Sequence, residues 1–152
     1  MTRLLGIDLG DRRIGLAVGD PATGSSRALA TVARGDAERD VETLARVIAD
    51  QRIDALVIGL PFLPGGAEGA QARATRDWAT AVAVRLDRPW AFQDERGTSL
   101  AAEADLGPAP RGRSGGAPSP TARRQRRARI DREAARRIVE ARMAAQVEGG
   151  LR

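Results

Sequence analysis

The sequence predicts an α/β domain with a mixed five-stranded sheet, in which three antiparallel strands precede parallel crossover units and helices flank the sheet. Three observations support this fold class. The first third of the chain contains three short apolar stretches joined by glycine-containing turns, as in an antiparallel meander. Residues 53–59 form an apolar run that is typical of a strand buried on both faces. Between such runs, apolar residues recur at intervals of three and four, which indicates helices.

The predicted elements alternate in type after the meander. The strands are predicted at residues 3–8, 14–19, 26–33, 53–59 and 89–93. The helices are predicted at residues 37–51, 68–86, 98–105 and 121–147. A flexible loop rich in Pro, Gly and Arg is predicted at 106–120, inside a single domain that spans 1–148. Because crossovers between parallel strands are right-handed, we expect the fourth and fifth strands to lie beside the first.

The composition excludes several classes of enzyme chemistry. The chain has no His, Cys, Tyr or Lys, so all 25 basic residues are Arg. Thiol catalysis, a Ser-His-Asp triad, Schiff-base chemistry and an ordinary zinc site are therefore excluded. An enzyme built from this chain must work with carboxylates, hydroxyls and Arg. Carboxylate oxygens are ligands that suit Mg²⁺ or Mn²⁺.

The basic charge is concentrated near the C-terminus. The formal net charge is +5, and residues 111–137 hold ten Arg against two acids. Such a concentration indicates a phosphate-binding surface. A solvated, arginine-rich helix face is the alternative interpretation, since a run of like charge is a weak signal by itself.

Three carboxylates from distant parts of the chain are expected to meet at one sheet edge. Asp8 ends the first predicted strand, and Glu95 follows the fifth. Asp131 shares a helical face with Ala134 and Ile138, so it points toward the sheet. Two carboxylates about 4 Å apart repel each other by roughly 4 kcal/mol at an effective dielectric constant near 20, and divalent cations remove this repulsion.

Each acid also has a simpler interpretation. Asp8 can be a turn residue, because Asp and Gly both favour turns. Glu95 can pair with Arg96, and Asp131 can pair with a nearby Arg. The residues alone leave these alternatives open.

Four segments resemble, in order, the motifs of the YqgF family. They are GIDLGDRRIG at 6–15, GLP at 59–61, DER at 94–96, and ID at 130–131 with two alanines shortly after. Members of this family are RNase H-like proteins described as pre-16S rRNA nucleases and as Holliday-junction resolvases. The resemblance covers nearly the whole chain. It implies an RNase H-like domain that hydrolyses phosphodiester bonds at the 5′ end of pre-16S rRNA during ribosome biogenesis.

The resemblance also implies the residues of the site. Asp8, Glu95 and Asp131 become the catalytic, metal-binding acids, with Asp8 bridging two Mg²⁺ or Mn²⁺ ions and the other two acids each holding one. Arginines beside the acids and on the last helix are expected to bind the nucleic-acid backbone. These candidates are Arg12, Arg13, Arg96, Arg123, Arg124, Arg126 and Arg127.

The expected partner is precursor rRNA, with branched or single-stranded DNA as alternatives, bound by a monomer or weak homodimer. A Holliday-junction resolvase and a non-catalytic rRNA-binding assembly factor remain as alternative functions. A sugar kinase or chaperone-type ATPase can open with a similar strand, but those proteins need two such domains. The chain has no bilayer-length apolar run and no signal-peptide pattern, so we expect a cytoplasmic protein without membrane contact.

Overall fold

The computed structural model describes residues 2–94 and 116–148, which form one five-stranded mixed sheet with helices on both faces. The strands are β1 (Leu4–Leu9), β2 (Arg13–Asp20), β3 (Ser25–Ala33), β4 (Ala55–Leu60) and β5 (Trp90–Asp94). The helices are α1 (Ala37–Gln51), α2 (Ala70–Ala81) and α3 (Pro120–Glu148), and a 3-10 turn at Ala83–Leu86 follows α2. The predicted helix at 98–105 and most of the predicted loop at 106–120 lie outside the described residues.

The strand order is β3-β2-β1-β4-β5. The strands β1, β2 and β3 pair antiparallel, whereas β4 runs parallel to β1 and β5 parallel to β4. The expectation that the fourth and fifth strands lie beside the first is confirmed, and so is the fold class. The C-terminal ends of β1, β4 and β5 therefore meet at one edge of the sheet.

The two faces of the sheet differ in what covers them. Leu5 and Ile7 of β1 pack in the larger core with Leu44 and Ile48 of α1 and Trp78 of α2. The alternate residues of β1 face α3, where Leu4 joins a smaller apolar cluster with Ile138 and Val139. Asp8 follows Leu4 at an even spacing, so it also faces α3.

Glycines on the sheet let α3 approach closely. A Cβ at Gly6 would meet Val139 and the carbonyl oxygen of Ala135, and a Cβ at Gly19 would collide with Val139. A Cβ at Gly15 would overlap the carbonyl oxygen of Asp131. Glycines on β1 and β2 therefore determine the distance of α3 from the sheet and which α3 residues contact it. Within the described residues no helix, α3 included, is long and apolar enough to cross a bilayer.

The predicted helix at 68–86 is two elements in the structure. The helix α2 begins at Ala70 because Gly69 is in an extended conformation and Glu68 is held in the preceding loop by Arg76. It ends before Val82, whose φ of −115° departs from helical geometry, and the chain tightens into the 3-10 turn. The β-branched Val82 is fully buried, and its packing against the core outweighs continuation of the helix.

The fourth strand begins at Ala55, two residues later than predicted. Ile53 is buried as expected of a core residue, but its N–H donates to the carbonyl of Ile48 and closes the end of α1. Arg52 takes a left-handed conformation with φ 54° to allow this bond. The apolar run therefore includes a helix cap that its composition does not distinguish from a strand.

We predict that Gly15→Ala lowers the free energy of unfolding by about 2 kcal/mol or more, because the added methyl group must push the α3 backbone away from the sheet. Urea unfolding midpoints measure this loss. Gly65→Ala is the matched control, because no atom lies within 4 Å of a Cβ built there. We expect the control to change stability by less than about 0.5 kcal/mol. Equal effects of the two substitutions would contradict this account of how α3 packs.

Candidate metal and nucleic-acid site

Asp8, Gly15 and Thr31 form a row across the first three strands. Asp8 of β1 pairs with Gly15 of β2, and Gly15 pairs with Thr31 of β3. Directly opposite residues on neighbouring strands project to the same face of a sheet, so all three face α3. Asp8 lies at the C-terminal end of β1 and is only 8% exposed.

The helix α3 crosses this row and brings Asp131 to it. The backbone of Asp131 occupies the space that a side chain at Gly15 would need. Nearby, the Thr31 hydroxyl donates to the carbonyl of Ala128 over 2.7 Å. Asp8 and Asp131 are therefore both neighbours of Gly15, Asp8 through strand pairing and Asp131 through its backbone. Both are half-buried or buried carboxylates at the edge where β1 and β4 end.

Asp131 is already paired with an arginine. The Arg13 Nε donates to Asp131 Oδ2 over 2.7 Å, and the two side chains are 32% and 18% exposed. This ion pair is the simpler interpretation that the sequence left open for Asp131. Arg13 therefore points at a carboxylate rather than into solvent, whereas its neighbour Arg12 is exposed.

The turn that carries these arginines is held from the third strand. The Gly10 N–H donates to the carbonyl of Arg13 over 2.8 Å, which closes the turn. Arg34, which follows β3, donates from Nη1 to the carbonyl of Gly10 over 2.9 Å. Sequence reasoning missed Arg34, although its place just after the strand that pairs with β2 was a usable signal. Arg34 supports the position of Arg12 and Arg13.

Glu95 and Arg96 lie outside the described residues. The strand β5 ends at Asp94, and its residue Gln93 pairs with Gly59 of β4. Phe92 packs on the larger core, so the alternate residue Gln93 faces α3. Within ranges 2–94 and 116–148, no three acidic side chains group closely enough to hold a metal ion. The described part of the site is thus a pair of carboxylates, Asp8 and Asp131.

The donor chemistry of this pair fits Mg²⁺ or Mn²⁺. Both side chains offer carboxylate oxygens, which are the hard ligands that these ions prefer. A buried carboxylate such as Asp8 needs a compensating charge or hydrogen bonds to offset its lost hydration. A divalent cation between Asp8 and Asp131 would supply that charge to both acids at once.

The charges along α3 separate into two groups. In its C-terminal half, Arg136 contacts Glu133 and Glu140, each over 2.9 Å. The hydrogen bond that Arg136 donates to Glu133 raises the pKa of the Arg136 guanidinium above its usual value. In the N-terminal half, Arg124 and Arg127 are exposed, and the first turn contains no acid.

The other two predicted arginines of this half are also placed by the structure. Arg123 is exposed, and it donates from Nη1 to the carbonyl of Pro118 over 3.0 Å. Arg126 is half-buried. The N-terminal half of α3 is therefore a basic surface on the same helix as Asp131.

Two solved structures share this fold. RuvC from Thermus thermophilus in complex with a Holliday junction substrate matches with a TM-score of 0.54 at 19% identity, over 97% of this chain and 96% of RuvC. The fowlpox virus resolvase, in complex with Holliday junction DNA, matches with a TM-score of 0.53 at 8% identity, over 96% and 99% of the two chains. At these identities the likeness concerns the fold alone, which is the RNase H-like fold of resolvases.

Sequence comparison identifies the family. Residues 2–145 match the RuvX family, described as Holliday junction resolvase. The chain belongs to this family, so the resemblance to YqgF proteins is confirmed.

Two relatives carry the name "Putative pre-16S rRNA nuclease". The protein from Anaeromyxobacter sp. strain K is 38% identical over 138 residues, which cover 91% of this chain and 93% of the relative. The protein from Acaryochloris marina is 41% identical over 100 residues, which cover 66% of this chain and 69% of the relative.

We predict that Thr31→Val lowers the free energy of unfolding by about 1 kcal/mol, because the carbonyl of Ala128 loses its side-chain donor where α3 meets the site. Thermal or urea unfolding measures the change. Thr80→Val is the matched control, since the Thr80 hydroxyl makes an exposed bond within α2 to Arg76. The control should change stability by less than about 0.5 kcal/mol. An equal loss in both variants would mean that the Thr31 bond does not anchor α3.

Proposed function

We propose that the protein is a divalent-metal-dependent nuclease that hydrolyses phosphodiester bonds at the 5′ end of pre-16S rRNA. The observation that carries the proposal is that Asp8 and Asp131 both neighbour Gly15: Asp8 pairs with it in the sheet, and the backbone of Asp131 packs against it. Membership of the RuvX family supports nucleic acid as the substrate. The names of the two relatives support precursor rRNA.

Asp8, Glu95 and Asp131 would hold two Mg²⁺ or Mn²⁺ ions. Bound ions of this kind supply Lewis acidity, which lowers the pKa of water and stabilises a leaving oxygen. The chain itself has no His or Cys, the side chains whose ordinary pKa values lie nearest to neutral pH.

The other residues position the substrate. Asp8 is held rigidly, because β1 lies in the centre of the sheet and α3 covers it. Exposed Arg12 at the turn, with Arg96, would contact phosphates next to the cleaved bond. The basic half of α3, including Arg123, Arg124, Arg126 and Arg127, would hold the backbone farther away. With an rRNA substrate, we expect this activity in the cytoplasm. The domain that performs it would span residues 1–148.

Branched DNA is the second candidate substrate. The family is described as Holliday junction resolvase, and both structural neighbours are resolvases solved with a Holliday junction. A resolvase must cut two strands symmetrically, which requires a dimer. A monomer or weak homodimer is the state that we propose for rRNA processing. A non-catalytic role in ribosome assembly is the third candidate. Substitution of the three carboxylates would spare the function of an assembly factor and abolish that of a nuclease.

We predict that the protein cleaves end-labelled single-stranded RNA carrying the 5′ flank of pre-16S rRNA when Mg²⁺ or Mn²⁺ is present. Chelation should abolish cleavage, because the carboxylates act by holding the cation that lowers the pKa of water and stabilises the leaving oxygen. Asp8→Asn should lower the rate by about 100-fold or more, which corresponds to roughly 3 kcal/mol of transition-state stabilisation. Asp77→Asn makes the same chemical change at an exposed position on α2 and should retain wild-type activity.

The substrates in this assay distinguish the candidates. A four-way DNA junction is tested beside the RNA under identical metal conditions. Preferential paired cuts in the junction would favour the resolvase. Binding of RNA by both wild type and Asp8→Asn, without cleavage under any metal, would overturn the nuclease proposal in favour of the assembly factor.

We predict that Arg124→Gln and Arg127→Gln each weaken binding of single-stranded RNA. Each should reduce the slope of log affinity against log salt concentration by about 0.7, because one phosphate contact is lost. Fluorescence anisotropy at several salt concentrations measures the slope. Arg46→Gln removes the same charge from an exposed position on α1, on the opposite face of the sheet. A slope that falls equally in this control would indicate a general charge effect rather than a binding surface on α3.

A further inference from the structure

The ion pair between Arg13 and Asp131 lies within the proposed metal site. The Arg13 Nε is 2.7 Å from Asp131 Oδ2, so one of the two carboxylate oxygens already has a cationic partner. A divalent cation on the same carboxylate would lie next to the guanidinium charge, and the two positive charges would repel each other. Arg13 and the cation therefore compete for Asp131.

Arg13 is not needed to hold α3 in place. The Thr31 hydroxyl anchors the helix at Ala128, and the Gly15 contact sets its distance from the sheet. The buried side chains Ile138 and Val139 attach the helix farther along. Since none of these contacts involves Arg13, the ion pair orients the Asp131 side chain rather than the helix.

Arg13 lies where its side chain can reach a bound nucleic acid. It is the first residue of β2, directly after the exposed turn that carries Arg12, and its side chain is 32% exposed. A guanidinium that leaves Asp131 from this position can bind a phosphate of an approaching strand through two parallel hydrogen bonds. The same side chain can thus serve the metal-free protein and the substrate complex.

We propose that Arg13 is a positioning residue that exchanges partners: it holds Asp131 in the metal-free protein and moves to a nucleic-acid phosphate when a divalent cation takes Asp131. This inference rests on the proposed function and specifies how its two ligands are coupled. The cation releases Arg13 for the phosphate, and the phosphate releases Asp131 for the cation. Each ligand must therefore raise the affinity for the other by the same factor.

The test is Mn²⁺ binding, measured from the electron paramagnetic resonance signal of free Mn²⁺. Wild type, Arg13→Gln and Arg132→Gln are compared without nucleic acid. Arg132 is the matched control, because it carries the same charge one residue from Asp131 and has no ion pair within the part of the chain that is described. Arg13→Gln should bind Mn²⁺ about 5-fold more tightly than wild type, and Arg132→Gln should stay within about 2-fold.

The measurement is then repeated with a short single-stranded 2′-O-methyl phosphorothioate oligonucleotide, whose integrity is checked afterwards on a gel. Wild type should gain about 5-fold in Mn²⁺ affinity when the oligonucleotide is added, and Arg13→Gln should gain little. Arg13→Lys keeps the charge and serves if the Gln variant does not fold. It should keep the wild-type Mn²⁺ affinity but lose much of the gain, because an ammonium group cannot bind phosphate through a planar fork.

Two failures are distinguishable. Equal Mn²⁺ affinity for wild type and Arg13→Gln, with equal gains from the oligonucleotide, would show that Arg13 is a structural brace and would overturn this inference alone. If no protein binds Mn²⁺ with or without the oligonucleotide, the metal site itself is wrong, and the proposed function falls together with the exchange.

Discussion

The contact between α3 and Gly15 is the constraint on which the site depends. Because Gly15 has no side chain, the backbone of Asp131 can lie against β2 at the residue that pairs with Asp8. A larger residue would separate the two carboxylates by moving the whole helix. The glycines at positions 6 and 19 continue the same groove and let Val139 seat against β1 and β2. The spacing of small residues on two strands thus determines where a distant helix delivers its acid.

The close approach has an electrostatic consequence. Two carboxylates on one covered face raise the free energy of the folded state unless a positive charge lies between or beside them. In this structure the guanidinium of Arg13 takes that place at Asp131. Arg34 supports the arrangement by fixing the turn before Arg13 through the carbonyl of Gly10. The charge at Asp131 is therefore balanced by an arginine side chain, whereas the helix itself is held by the contacts at Thr31 and Gly15.

On the opposite face of the sheet, a buried carboxylate has neutral hydrogen-bond donors instead of an arginine. Asp40 of α1 is 1% exposed and accepts hydrogen bonds from Trp78 Nε1 over 3.0 Å and from the Gly35 N–H over 2.8 Å. Both donors are neutral and are fixed by the surrounding core, so this carboxylate joins α1 to α2 as a structural element. Asp40 is thus satisfied by groups fixed in the core, whereas the partner of Asp131 is the partly exposed side chain of Arg13.

Local patterns in the sequence determined the class of fold and the strand order. The bounds of α1 follow from its apolar spacing and from Asp36, which caps the helix by accepting from the Arg39 N–H. The handedness of crossovers predicted that β4 and β5 follow β1 on the side away from β2 and β3. The helical spacing predicted that Asp131 faces the sheet, where its ion pair with Arg13 of β2 lies.

Tertiary structure alone decided which groups pair through space. Residues 68–86 have one helical period, yet burial of Val82 divides them into a helix and a 3-10 turn. The partner of Arg13 lies 118 positions away in the sequence, and Arg34 reaches Gly10 across 24 positions. The composition offers many arginines that could pair with Asp131 or bind the carbonyl of Gly10. Periodicity predicts the face that a residue occupies, but not its distance from a residue on another element. The packing of α3 on Gly15 brings Asp131 within reach of Arg13.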